Sequence, residues 1–262
     1  MRLGPNRLFE TITRFAGLLN DLEEVGIRVE VGDDFQKYRH HRAECQSRPP
    51  IYPMFDIEKS YIDRTNGFWV CAFEPGGDLI HTQAIRLLDL RDISLDEHLK
   101  LHRHKYITPD STPDPDQTAF VGPRSLQGIT GQVGYHGEFW LRSEGLAGPR
   151  SFGATALLSR VLLELAGLAW DPSFIFALVP KKLAAKGAHL RYGYVHCEPG
   201  QWIGPDQQIT DEDHLIWMSA DDLAALSAAA PPRISSRGQA RHPSHARART
   251  NGISVTETIV NE

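Results

Sequence analysis

The 262-residue sequence has few cysteines, no long apolar run and no excess of basic residues. Its three cysteines (Cys45, Cys71 and Cys197) are isolated, which argues against a disulfide framework and a cysteine-rich zinc site. No apolar run approaches the ~20 residues that a membrane helix needs, and the opening segment MRLGPNRLFE lacks the apolar core of a signal peptide. We therefore expect a cytoplasmic protein with no membrane partner.

The formal net charge of −5 excludes a strongly basic nucleic-acid-binding protein. The charge is uneven, because residues 231–250 contain five arginines and no acid among Ser, Pro and Ala. Such a composition has little to bury and predicts a disordered tail over 231–262. The tail is either simply solvated or in weak electrostatic contact with an acidic partner.

Hydrophobic periodicity and turn residues predict an alternation of helices and strands. The expected order begins with helix 6–25 ending at Gly26, strand 27–31, a helix from Asp34 capped by Asp33, and a hairpin of strands 68–73 and 79–88. It continues with helix 93–105, strand 129–144 bent or bulged by its glycines, and helix 151–168. It ends with strand 172–180, helix 181–193, and the two strands YVHCE and HLIWMSA (214–220). This predicts an α/β fold with a mixed, mostly antiparallel twisted sheet flanked by helices. The pattern alone does not place the last two strands.

A glycine-containing turn, Arg150-Ser151-Phe152-Gly153-Ala154-Thr155, precedes the most apolar predicted helix. Glycine permits a close backbone approach, and a helix N-terminus presents unpaired N–H groups and a positive dipole end. An adjacent arginine can hold a phosphate group. The overlapping stretch Arg142-Ser-Glu-Gly145-Leu-Ala147 is a second candidate, and a plain structural turn is the alternative for both.

The element order and this turn resemble the Gcn5-related N-acetyltransferase fold, and the middle of the chain resembles its acyl-homoserine-lactone (autoinducer) synthase branch. In this resemblance, EKSYID (58–63) corresponds to an acidic stretch of the synthases, with Asp63 as the acid and Ser60 where another acid is expected. Arg86-Leu87 corresponds to their Arg-Leu pair. The resemblance implies that Asp63 and Arg86 bind substrate, and a structural ion pair is the alternative.

The segment Glu138-Phe-Trp-Leu-Arg142 corresponds to a Glu and an Arg that the synthases space three apart. Residues four apart share a face of a flat strand, whereas residues three apart do not, so a bulge or a different pairing is expected. The resemblance implies that Glu138 accepts the amine proton, and burial between Phe139 and Trp140 would raise its pKa. Trp140 and Arg142 are then candidates for substrate binding, and a surface carboxylate is the alternative for Glu138.

Many acetyltransferases of this fold place a tyrosine four residues before a Gly-Phe/Tyr pair, as the acid that protonates the leaving thiolate. Here the pair is Gly193-Tyr194, and the tyrosine position holds His189. The resemblance implies that His189 takes this role or that the thiolate leaves unaided. A surface histidine is the alternative, and Tyr192 is expected to face elsewhere.

The resemblance covers roughly residues 27–205 and implies an N-acyltransferase domain over 27–230, with a helical extension over 1–26. The donor would be an acyl-CoA or the acyl-phosphopantetheine of an acyl carrier protein, held at Arg150, Ser151, Gly153, Ala154 and Thr155. The acceptor would be the amine of a small metabolite, of which an amino-acid-derived compound is one candidate. No metal is expected, since His98 and His102 lack an obvious third ligand.

The rival hypothesis is a non-catalytic acyl- or CoA-binding or regulatory module that retains the fold. Thr155, Ser60 and the altered Glu–Arg spacing all favour this rival. The two hypotheses differ in structure: an open V between the two middle strands favours the enzyme, and a filled cleft favours the module. The acyl length, the identity of the amine and the oligomeric state do not follow from the sequence.

Overall fold

The computed structural model describes residues 4–44, 50–107, 114, 117–142 and 153–231. Its strands are β1 (Arg28–Gly32), β2 (Gly67–Phe73), β3 (Leu79–Leu90), β4 (Ala119–Val121), β5 (Gly131–Leu141), β6 (Phe174–Pro180), β7 (His196–Pro199), β8 (Gln201–Ile203), β9 (Ile209–Asp211) and β10 (Asp213–Ser219). Seven of them form one sheet in the order β1-β2-β3-β5-β6-β10-β7, and β4, β8 and β9 form a second. Within the large sheet β5 and β6 pair in parallel, and the other neighbours are antiparallel.

The helices flank this sheet on both faces. They are α1 (Pro5–Glu24), α2 (Phe35–Ala43), α3 (Leu95–His102), α4 (Ala154–Trp170), α5 (Lys181–Ala184), α6 (Ala188–Tyr192) and α7 (Ala220–Ala228). Ser94 caps α3 and Ser219 caps α7, each in a reciprocal capping box with the acid three residues later. The mixed, mostly antiparallel sheet flanked by helices is therefore confirmed.

Two hydrophobic cores lie on opposite faces of the sheet. On the first face, α1 and α4 pack against the sheet, and Leu18, Leu22, Leu158 and Leu162 are all fully buried. On the second face, the core contains residues of α2, α3, the segment 51–62 and the small sheet. Successive strand residues alternate between the faces of the sheet, so the side chains of β5 and β6 pack alternately into the first and the second core.

The elements with a strong local pattern form where the sequence predicts them. The structure confirms the long N-terminal helix, the first strand, the hairpin of β2 and β3, and β6, β7 and β10. The predicted bulge of the third strand is also present, although its positive φ of 57° falls on Glu138 and not on a glycine.

Several boundaries differ from the predictions. Asp34, and not Asp33, caps α2 by accepting hydrogen bonds from the backbone N–H groups of Gln36 and Lys37. The helix predicted over 181–193 is broken into α5 and α6, because the chain turns at Gly187 with φ of 70°. The helix predicted from residue 151 starts at Ala154. The sequence pattern does not predict β4, β8, β9 or α7. The arginine-rich segment and Cys45 lie outside the described residues.

Candidate active-site cleft

The parallel strands β5 and β6 separate partway along their length. Only three register pairs join them, and Tyr135–Phe176 is the last. Beyond this pair the strands diverge around a cavity of about 210 Å³. The cavity is lined by Tyr52, Tyr106, Tyr135, His136, Gly137, Glu138, Phe139, Ala177, Leu178, Val179, Pro180, Leu183, Tyr192 and Asp213. The edge of β5 therefore has no partner in β6 beyond Tyr135.

The wall formed by β5 is bulged at Glu138. In the pairing with β3, Thr82 lies opposite Trp140 and Ala84 lies opposite Gly137, so Glu138 and Phe139 together face the single residue Gln83. The Thr82 hydroxyl donates a hydrogen bond to the Glu138 carbonyl oxygen at 3.1 Å. The bulge turns the Glu138 side chain toward α2 and the Phe139 side chain toward the opposite core.

The Glu138 carboxylate is buried in a network of donors. Its Oε2 accepts hydrogen bonds from Nε of Arg42 at 2.5 Å and from the Tyr38 hydroxyl at 3.2 Å. Its Oε1 accepts one from the backbone N–H of Tyr52 at 2.8 Å. These polar partners replace the purely aromatic surroundings predicted from the sequence, since Glu138 faces α2 and the segment that carries Tyr52.

A cluster of tyrosines surrounds the same part of the cleft. The Tyr135 ring stacks on Phe55 at 5.4 Å and contacts Tyr106 edge-on at 4.9 Å. Burial raises the pKa of the Tyr135 hydroxyl far above its usual value, and the neighbouring Tyr52, Tyr106, Glu138 and Asp213 raise it further. Both cleft carboxylates therefore lie close to the Tyr135 hydroxyl.

Asp213 begins β10 and lies opposite Pro180 of β6. Its Oδ2 accepts a hydrogen bond from Nε1 of Trp202 at 2.9 Å. Burial raises the pKa of this carboxyl to about 6, an effect that the Trp202 hydrogen bond opposes and the Asp211 charge reinforces. The sequence does not indicate a site at Asp213, because this residue lies in the acidic run DED (211–213), which has the composition of a loop.

His136 lies on the floor of the cleft as a neutral structural group. Its Nε2 is 3.1 Å from Oε1 of Gln83, and its Nδ1 is 3.0 Å from the Tyr194 hydroxyl. Since the Gln83 amide N–H donates to the carbonyl of Leu158, its oxygen acts as acceptor, and Nε2 of His136 carries the proton. Burial lowers the His136 pKa to about 3.

Tyr192, and not His189, is the residue of α6 that faces the cleft. Tyr192 lines the cleft, and its ring contacts Phe139 at 4.3 Å, so the expectation that Tyr192 faces elsewhere is wrong. His189 is not among the residues that line the cavity, and it interacts with His214. The two side chains lie three residues apart on α6, whose short length and start at Gly187 set which of them faces β5.

Arg86 and Asp63 do not pair with each other. The Arg86 guanidinium donates hydrogen bonds to the carbonyl oxygens of Met54, at 2.8 Å, and of Tyr61, and burial lowers its pKa. Asp63 accepts hydrogen bonds from the Tyr61 hydroxyl at 2.6 Å and from the backbone and side chain of Thr65, which lower its pKa to about 2. Both residues therefore hold the segment that precedes β2, which also supplies Tyr52 and Phe55.

Trp140 and Arg142 lie beyond the cleft at the end of β5. Trp140 packs against the second core and is not among the residues lining the cavity. Arg142 forms an ion pair with Glu74, and its backbone N–H donates to the carbonyl of Ile80 at 2.9 Å. Glu138 and Arg142 are four residues apart in the sequence, but the bulge at Glu138 places their side chains in different surroundings.

The glycine-containing turn meets the N-terminus of α4. Gly153 has φ of 82°, and a Cβ atom built there would meet nothing within 4 Å. Among the described residues no side chain caps the helix, and Ala154 is buried. Arg150 and Ser151 lie outside the described residues. The first N–H groups of α4, from Ala154 and Thr155 onward, therefore form an uncapped helix terminus of the kind that binds anions.

The described part of the chain contains no cluster of three or more His, Cys, Asp or Glu side chains that could hold a metal ion. None of its helices is long and apolar enough to cross a membrane.

No family model matches the sequence, and no curated protein matches it significantly. Among solved structures, the aminoglycoside acetyltransferase AAC(6')-Ib in complex with coenzyme A and kanamycin is similar over 76% of this chain and 98% of its own, with 12% identity and a TM-score of 0.38. FeeM, an N-acyl amino acid synthase from uncultured soil microbes, is similar over 86% and 97%, with 11% identity and a TM-score of 0.36. NAA60 of Arabidopsis thaliana in complex with acetyl-CoA is similar over 74% and 99%, with 11% identity and a TM-score of 0.46.

The strand order, and the parallel pair that opens into a V after Tyr135 and Phe176, agree with the Gcn5-related N-acetyltransferase fold that the sequence resembles. Similarities at 11–12% identity carry no information on substrate or chemistry.

Proposed function

We propose that this protein is an N-acyltransferase that moves an acyl group from an acyl thioester to the amine of a small molecule. The observation that carries the proposal is the cavity between the diverging ends of β5 and β6. A module that merely kept the fold would be free to fill this gap with apolar side chains, since burial of such groups stabilises a protein. Here the gap is open, and two carboxylates and four tyrosines line it.

The donor thioester would approach from the side of α4. The uncapped N-terminus at Gly153, Ala154 and Thr155 offers N–H groups and a positive dipole end to the phosphates of coenzyme A or of phosphopantetheine. Arg150 and Ser151 are proposed to complete this phosphate site. The amide groups of the pantetheine arm would then pair with the edge of β5 that β6 leaves after Tyr135.

The amine acceptor would enter from the opposite face, where Tyr52, Tyr135, Glu138 and Asp213 meet. Glu138 is held by Arg42, Tyr38 and Tyr52, so it is suited to orienting an ammonium or amine group by its fixed charge. Its predicted role as proton acceptor has weaker support, because both of its oxygens already accept hydrogen bonds. Arg86 and Asp63 are proposed to act indirectly, by holding the segment that carries Tyr52.

The reaction itself needs few groups. The amine nitrogen attacks the thioester carbonyl carbon and loses a proton as the C–N bond forms. The C–S bond breaks with its electron pair on sulfur, and the thiolate takes up a proton. Because the thioester is already activated, alignment and proton transfer account for most of the acceleration. Tyr192 lines the cleft against Phe139 and is proposed as the donor of the proton to the thiolate in place of His189.

The proposal is tested by measuring free-thiol release when the purified protein is given acyl-CoA or acyl carrier protein thioesters with a panel of amines. We expect release that depends on the amine and equals the amide formed. Release with only one kind of thioester would identify the donor. Thioester binding without release would favour the non-catalytic module and contradict the proposal.

Two matched variants connect any activity to the cleft. Leu183 lines the cavity and is 41% exposed at its mouth, whereas Leu190 lies on α6, is 69% exposed and does not line it. Leu183→Trp would narrow the entrance and should raise the KM of the donor. Leu190→Trp adds the same ring nearby and should leave KM unchanged. Equal kinetics of the two variants would move the site away from this cleft.

A further inference from the structure

The two carboxylates of the cleft have opposite surroundings. Glu138 is paired with a buried guanidinium and receives two further hydrogen bonds. Asp213 is 9% exposed and accepts one side-chain hydrogen bond, from Trp202, and none of the described cations pairs with it. Sites in which two titratable groups are held in contrasting environments commonly divide the work of charge stabilisation and proton transfer between them.

The position of Asp213 connects it to the place where the amine would react. Leu215, two residues along β10, is buried in the second core, so Asp213 projects from the same face of the sheet as Tyr135. Asp213 also lies opposite Pro180, where β6 ends and forms the far wall of the cleft. The two walls thus present Glu138 from β5 and Asp213 from β10, and the Tyr135 hydroxyl interacts with both.

We infer that Asp213 is the group that accepts the proton of the attacking amine. As the C–N bond forms, the nitrogen becomes acidic, its proton passes to the Asp213 carboxylate, and the electron pair of the breaking C–S bond goes to sulfur. The proton on Asp213 is then released to solvent after the amide leaves. This inference rests on the proposed acyl transfer and assigns one step of it to a residue.

The protonation behaviour of Asp213 agrees with this role. Burial raises its pKa to about 6, which leaves it ionised at neutral pH yet more basic than an ordinary aspartate. Its titratable neighbours are Asp211 on β9, whose charge raises the pKa, and Tyr135 on β5, which is neutral at these pH values. The Trp202 hydrogen bond lowers the pKa and fixes the orientation of the carboxylate.

The test compares the pH dependence of kcat/KM for three proteins with an active thioester and amine pair. The kcat/KM of the unaltered protein should fall below an apparent pKa near 6, and this fall is the acidic limb of its pH profile. Asp213→Asn should lower kcat by about 10²-fold or more and abolish this limb, with an unchanged Kd for a coenzyme A thioether. The control Asp211→Asn removes an exposed charge on the adjacent strand, and it should keep kcat and move the limb to lower pH.

Trp202→Phe provides a second test that leaves the carboxylate in place. Loss of the indole N–H should raise the pKa of Asp213 and move the limb of the pH profile upward. Asp213→Asn with the kcat and pH profile of the unaltered protein would overturn the inference, as would an unmoved limb in Trp202→Phe. An unaltered protein that releases no thiol with any amine would instead overturn the proposed function.

Discussion

Nε of Arg42 on α2 lies 2.5 Å from Oε2 of Glu138 on β5, and the two side chains are 4% and 0% exposed. This ion pair ties the helix that covers the second core to the bulge in the wall of the cleft. It joins residues 96 positions apart in the chain. The pair therefore fixes the position of the carboxylate while leaving the rest of the cleft open.

Removing the cation of this pair should strongly destabilise the protein. Arg42→Met leaves the Glu138 charge buried without its main partner, and breaking one side of a buried pair costs ~3–5 kcal/mol. Chemical denaturation at pH 7 measures the free energy of unfolding. The double variant Arg42→Met with Glu138→Gln should recover part of the loss, because it removes the uncompensated charge.

Arg39 offers a matched control for that prediction on the same helix. Its guanidinium pairs with Glu58 at 2.6 Å, but the two side chains are 34% and 65% exposed. Arg39→Met should therefore lower the free energy of unfolding much less than Arg42→Met does. Equal losses for Arg39→Met and Arg42→Met would contradict the structural role given to the Arg42–Glu138 pair.

Substitution of Tyr192 and of His189 should separate the two candidates for the thiolate proton donor. Tyr192→Phe keeps the ring contact with Phe139 and removes only the hydroxyl, so kcat should fall by 10-fold or more with little change in donor KM. His189→Gln should leave both constants unchanged, since His189 does not line the cavity. Steady-state kinetics with one thioester decides between them, and the reverse outcome would restore the role predicted for His189.

A negative charge at Gly153 should weaken binding of the donor. Gly153→Asp places a carboxylate where the phosphates are proposed to bind, so donor KM should rise about 10-fold with kcat nearly unchanged. Gly153→Asn has the same size and meets the same backbone strain at φ of 82°, but it carries no charge. Its KM should stay near that of the unaltered protein, and equal KM values for Asp and Asn would place the phosphates elsewhere.

The buried neutral His136 should make the protein less stable in acid. The pKa of His136 is about 3 in the folded protein and 6.5 in the unfolded chain. Below pH 6.5 the unfolded chain therefore binds a proton that the folded protein does not. The free energy of unfolding should therefore fall with decreasing pH, by up to ~1.4 kcal/mol per unit from this group. His136→Gln should be less stable at pH 7 but show a shallower slope between pH 6.5 and 4.5, and parallel curves would contradict this account.

The sequence predicted the elements whose pattern is local. The helix 6–25 and the hairpin around residues 75–78 carry their periodicity and turn residues within one short segment, so both formed where expected. The strands β4, β8 and β9 have only three residues each, which is too short for any periodicity to appear. The break between α5 and α6 at Gly187 is not predicted, because a single glycine within a helical pattern does not indicate a left-handed turn.

The sequence resemblance suggested that a cleft would exist but did not identify all the residues that surround it. The enzyme hypothesis required an open V between the two middle strands, and Glu138 was the candidate proton acceptor. In the structure β5 and β6 diverge, and Glu138 lines the gap between them. Arg42 and Asp213 reach the same place from α2 and β10, and only the pairing of distant strands and helices brings them together. The sequence spacing of Glu138 and Arg142 predicted a bulge or a different pairing, and the structure has a bulge at Glu138.

The central claim is that an acyl thioester occupies the gap between β5 and β6, and a crystal structure with a coenzyme A thioether that mimics the donor tests it most directly. The account predicts the pantetheine arm between Tyr135 and Ala177, the phosphates at Gly153 and Ala154, and the acyl carbon between Glu138 and Asp213. A thioether bound elsewhere on the molecule, with the gap between the two strands empty, would contradict it.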